Sequence, residues 1–221
     1  MYRQLQTTMG QYFKPTLFVE NPKSNDKKVI SIHSFEFGQG SKLMEHSYVG
    51  NSLVLGVKSV IAYYQDMGYK IILNWAGDYA DPIEGEKDNI YTKYTDNVKV
   101  KGYEQCGYVK DFDTIVINDT DEIKFIKDYQ QKRFLVNDTK KTYVDYEALV
   151  PQRIYWNYSY AQFIEPLAIL CADGCGCSGS DYHGTNMEYV GTWKNDEIRF
   201  LDCKDAIPED YVGVTPEFKE E

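Results

Sequence analysis

Apolar side chains recur at three- and four-residue steps between positions 49 and 67: Val49, Leu53, Val57, Val60, Ile61, Tyr64 and Met67. That period lines one face of a helix. Gly68 follows directly and suits a left-handed stop, because it has no Cβ to clash at positive φ. Asn51 or Ser47 is placed to cap the start. On either side the pattern shortens to strand-like runs. Val29, Ile30, Ile32, Phe35 and Phe37, with Ser31, His33, Ser34 and Glu36 between them, predict a strand over Lys28–Phe37. Lys70–Trp75 predicts another, with almost no linker after the helix. Strand, helix and strand in that order favour a parallel pair with a right-handed crossover.

Ahead of this unit, Thr16–Glu20 is a short apolar run and Asn21–Asp26 a turn signal. Past it, Ala76–Pro82 is a loop beyond a C-terminal strand end, where such units gather ligands. Residues 83–110 form a polar, tyrosine-rich excursion expected to hold one hairpin. Asp113–Asn118 predicts a strand. Asp119 followed by Glu122 resembles a capping box and predicts a short helix over about 121–131. Arg133–Asn137 and Thr142–Asp145 read as strands around the turn at 138–141. Ile154–Ile169 gives strand-like pieces broken by Glu165 and Pro166. Tyr189–Thr192 and Glu197–Leu201 close the pattern, and the acidic tail from Pro208 is expected to fray. The fold class is therefore α/β or α+β: a mixed β-sheet, one long helix at about 49–67 and a shorter one at about 121–131. A single globular domain over 1–221 is expected.

Composition adds limits. Apolar residues at 43% and charged residues at 26% suit a globular chain rather than a disordered one. The net charge of −10 argues against general nucleic-acid binding, which needs Lys and Arg against phosphates. It leaves room for a basic protein partner, a metal, or mimicry of nucleic-acid charge. The 20 tyrosines suit half-buried sheet faces and contact surfaces. No stretch approaches the roughly 18 apolar residues of a membrane span, and the first ten residues lack a signal-peptide core. The five cysteines are odd in number and unevenly spaced, which favours reduced thiols and a cytoplasmic protein.

Candidate chemistry concentrates in Ile164–Gly184. Gly174, Gly176 and Gly179 satisfy the G-x-G-x-x-G spacing, but no apolar helix follows and Asp173 and Asp181 flank the loop, so a dinucleotide site is disfavoured. Cys171, Cys175, Cys177 and Cys203 offer four thiolates for zinc. Their C-x3-C-x-C spacing is not the usual paired knuckle, and buried or loop thiols account for them as well. Glu45, His46, Asp78, Asp173, Asp181 and His183 form a third set. If the strands ending at Asp78 and Asp173 are neighbours, these groups could hold a divalent cation or do acid–base work. No G-x-S-x-G elbow, H-E-x-x-H helix or P-loop is present.

Several phrases resemble a group of uncharacterised bacterial and phage-borne proteins: Gly40–Ser47, Trp75–Tyr79, Asn137–Lys141, and Ala172–Gly174 with Ser180–Tyr182. In that group the central loop is rich in Gly and Asn where this chain has Cys175 and Cys177, which counts against zinc. The resemblance implies a mobile-element origin and no particular activity. Two function classes follow. The first is an intracellular, non-enzymatic protein that binds or inhibits a host protein. The alternative is a metal-assisted hydrolase built on the His, Asp and Glu set.

Overall fold

The computed structural model describes residues 11–95, 99–101, 114–117, 121–124, 132–149, 164–174 and 187–216. In chain order the strands are β1 Phe13–Glu20, β2 Lys27–Ser31, β3 Lys70–Gly77, β4 Lys99–Lys101, β5 Thr114–Ile117, β6 Asp121–Lys124, β7 Lys132–Asn137, β8 Thr142–Asp145, β9 Ala172–Asp173, β10 Asp196–Asp202 and β11 Val212–Gly213. The helices are α1 Leu43–His46, α2 Ser52–Asp66, α3 Ile90–Lys93 and α4 Pro166–Leu170. Among the described residues, eight strands form one mixed sheet in the order β11-β8-β7-β10-β3-β1-β2, with β9 beside β3. β4, β5 and β6 form a second, antiparallel sheet. No helix of the described residues is long and apolar enough to cross a membrane.

The expected unit of strand, helix and strand is present with one insertion. β2 and β3 both run antiparallel to β1 and so parallel to each other, but β1 lies between them. Their connection through α2 therefore crosses over one strand. Pro15 stands inside this central strand without breaking its ladder to β3. Ile32 N–H donates to Pro15 O at 3.0 Å, so residue 15 directs its backbone groups at β2. Trp75, opposite Pro15, turns its own N–H away to Cys171 O at 2.8 Å. The proline thus forfeits one bond to β2 and none to β3.

α2 starts where Asn51 Oδ1 accepts from Val54 N–H at 3.2 Å. It stops at Gly68, whose φ of 80° is the left-handed conformation a side chain resists. Leu53, Val54, Val57, Val60, Ile61 and Tyr64 are buried in a core shared with β1, β3, β8, α4 and β10. β10 joins the halves of the sheet, pairing first with β3 and then with β7. The β7–β8 hairpin forms as expected, closed by Asn137 Oδ1 accepting from Lys140 N–H at 2.8 Å and by Lys141 at φ 54°.

Several expectations are corrected. Lys28–Phe37 is not one strand: β2 ends at Ser31 and Ser34–Phe37 is a turn of 3-10 helix. The helix expected over about 121–131 does not form at its start. Asp121–Lys124 pairs back onto β5, with Ile117 opposite Asp121 and only residues 118–120 between them. Glu122, the acid of the expected capping box, therefore lies within a strand; residues 118–120 and 125–131 lie outside the described residues. The apolar run Pro166–Leu170 is helical because Glu165 accepts Leu167 N–H and Pro166 takes the first helical position. Of Tyr189–Thr192, Tyr189 closes a 3-10 turn and the rest is turn, not strand. The start of the tail is held through Val214: β11 pairs in parallel with β8, Val214 N–H donates to Tyr143 O at 2.7 Å, and Tyr211 OH donates to Asp138 Oδ1 at 2.7 Å; residues 217–221 lie outside the described residues. In the 83–110 excursion, β4 pairs antiparallel with β5, which lies beyond it; residues 96–98 and 102–110 lie outside the described residues.

Candidate functional site

The strands ending at Asp78 and Asp173 are neighbours, as the acid–base reading required. β3 and β9 run in parallel, with Ala76 opposite Asp173. The side chains, however, are engaged separately. Asp78 Oδ1 accepts Tyr12 N–H at 3.0 Å while its own N–H donates to Tyr12 O, which extends the β1–β3 ladder. Asp173 takes Asn74 Nδ2–H on one oxygen at 2.9 Å and Lys194 on the other at 3.1 Å. Glu45 is exposed and accepts Lys42 N–H at 2.8 Å, a reach-back at the start of α1. His46 is wholly buried. Its Nε2–H donates to Gly40 O at 2.8 Å, and its Nδ1 accepts from Trp75 Nε1–H at 3.0 Å. Burial lowers its pKa to about 4, against the opposing pull of the Gly40 carbonyl, so the ring is neutral. With both nitrogens committed it has no lone pair for a metal. Asp181 and His183 lie outside the described residues.

The thiol set is divided too. Cys171 is buried, and burial pushes its thiol far above the ordinary range, so it stays protonated. Cys203 is exposed beyond β10. Cys175 and Cys177 lie outside the described residues. Among the described residues no group of three or more His, Cys, Asp or Glu side chains is arranged to hold a metal. Gly174 has a packing role at the head of the loop: a Cβ there would stand 2.5 Å from the Gln11 amide. Gly77 meets the same amide and Asp173 O, so the strand ends close onto Gln11.

The sheet face carrying Lys14 holds a different group. Side chains opposite one another in an antiparallel ladder share a face. Lys14 pairs with Ala76, Thr16 with both Asn74 and Ser31, and His33 continues that row beyond Ser31. Thr16 and Ser31 join hydroxyls at 2.8 Å. Asn74 gives its amide hydrogens to Asp173 and Asn195, and its buried Oδ1 has no donor among the described residues. Lys14 is only 1% exposed. Its Nζ donates to Tyr94 O at 2.6 Å and stands 4.6 Å from the centre of the Tyr91 ring. It forms no ion pair with a carboxylate among the described residues, and burial lowers its pKa to about 8. His33 is half-buried and stacks on Phe35 at 4.8 Å. Neither of its ring nitrogens hydrogen-bonds to a described residue. Burial, then the Lys14 charge, lower its pKa to about 4.

β2 is also an end of the large sheet among the described residues. Because Ile32 bonds inward to Pro15, the alternation of the ladder turns the backbone groups of Lys27, Val29 and Ser31 outward. Val29 is 42% exposed and Phe35 50% exposed at this margin. No family model matches the chain, and no curated protein or solved structure is similar to it.

Proposed function

We propose that this chain is a non-enzymatic binding protein that takes an extended segment of a partner protein as an added strand on β2. The observation carrying the reading is the ladder that stands open among the described residues at Lys27, Val29 and Ser31, flanked by the exposed Val29 and Phe35 side chains. Added strands gain affinity from main-chain bonds and selectivity from alternate side chains. The charge of −10 favours a basic partner by long-range attraction. Free thiols at Cys171 and Cys203 fit a reducing, cytoplasmic setting. The resemblance to phage-borne proteins fits a host protein as the partner. The structural commitments of Glu45, His46, Asp78 and Asp173 favour binding over the metal-assisted alternative.

Val29→Pro tests this directly. It removes an outward N–H and leaves the inward bonds of residues 28, 30 and 32 in place. A partner cross-linked to the wild-type chain in bacterial lysate, and identified by mass spectrometry, should be lost with Val29→Pro and weakened with Phe35→Ser. Equal recovery by the folded variants, or no specific partner for the wild type, contradicts the reading.

A further inference from the structure

We propose that Lys14 and His33 form a binding site for a small oxyanion, a carboxylate or a phosphate, between the sheet and the α3 turn. Its donors, Lys14 and His33, are not among the residues that present the outward ladder of β2, although Phe35 borders both. A buried cation without a counter-charge is costly, and such groups are ordinarily paired. Lys14 has no carboxylate partner among the described residues, in a chain that carries 34 acidic side chains against 24 basic ones. Its ammonium has three protons. One goes to Tyr94 O and the Tyr91 ring face lies against the charge, which leaves donor capacity unused. His33 adds a second donor, because a neutral imidazole always carries one N–H and neither nitrogen hydrogen-bonds to a described residue. An oxyanion would bridge these donors and supply the missing charge.

The way in lies at His33, which is half-buried beside the exposed Phe35. The cover is slight. α3 has four residues and is held to the end of β3 by Asn89 Nδ2–H donating to Asp78 O and Ala80 O. The groups facing Lys14 are His33 after β2, Tyr91 on α3 and Tyr94 at its end; Tyr12 and Asp78 act electrostatically on Tyr91. Asp78 bonds Tyr12 N–H and forms no ion pair with the ammonium. Lys14 is therefore the group here that changes protonation just above neutrality, and an anion would hold its proton on.

The experiment is calorimetric titration of the full chain with inorganic phosphate, and separately with acetate, at about pH 6.5 and pH 9 in buffers of different ionisation enthalpy. Saturable binding of one of the two identifies the source as phosphate or carboxylate; binding of both assigns a general oxyanion site. Proton uptake is expected at the higher pH and little at the lower, since Lys14 titrates near 8. Lys14→Met should abolish binding, and it removes a buried charge rather than adding one. His33→Gln should weaken binding about tenfold or more, the effect of losing a hydrogen bond to a charged group. Binding unchanged in Lys14→Met, or no saturable binding of either anion at concentrations on the order of 10 mM, overturns the proposal.

Discussion

Two histidines are held neutral by their surroundings, and this makes the fold acid-sensitive. His33 and His46 each titrate near 4 in the folded chain against an ordinary 6.5. Between those values the unfolded chain binds protons that the folded chain does not. Stability therefore falls as pH drops from about 6.5 to about 4 and is fully present above that window. Urea midpoints should be lower at about pH 4.5 than at about pH 7, and His33→Gln should make the dependence shallower; a midpoint that is flat or rises on acidification contradicts this. His46 shows why a residue's role was only half legible. Its place beside a helix start could be read locally, whereas its partner Trp75 is 29 positions away and reaches it only through the packed sheet. Lys14 was hidden for another reason. Phe13, Pro15, Leu17 and Val19 alternate with Lys14, Thr16 and Phe18, but Pro15 interrupts the signal, since proline is rarely tolerated in a central strand.

Elements are joined by a few buried polar contacts. Lys58 on α2 meets Glu165, the cap of α4, at 2.6 Å, with both side chains nearly inaccessible. Glu165 also accepts from Tyr146 OH at 2.5 Å, and the Lys58 ammonium lies 4.1 Å from the Tyr146 ring centre. Burial lowers the Lys58 pKa against the raising effect of Glu165. Lys58→Met strands a buried carboxylate and should cost about 3–5 kcal/mol. Adding Glu165→Gln removes the stranded charge and keeps an acceptor for Leu167 N–H, so the double variant should recover part of that loss in urea unfolding. A double variant less stable than Lys58→Met would contradict this coupling. α2 was legible because its period, cap and glycine stop all agree locally. α4 was not, because five apolar residues fit a buried strand or a buried helix equally. Of β1, only Thr16–Glu20 stands out in the sequence, as a short apolar run, and its insertion between β2 and β3 depends on pairing across the fold.

At the scale of the whole molecule, the acidic chain builds one large mixed sheet whose α2 side is closed by apolar packing. The face around Lys14 is instead lined with hydroxyls, amides and a basic pair. Mixed-sheet class and the parallel sense of β2 and β3 could be read in the sequence. The pair of buried Lys14 and half-buried His33 could not, because its members come together only when β1 pairs with β2. That this face buries an ammonium with no carboxylate partner among the described residues is tested by titrating the Lys14 side chain in the wild-type protein by NMR, assigned by its absence in Lys14→Met. The account predicts a midpoint near 8. A midpoint at the ordinary lysine value of 10.5 would contradict it.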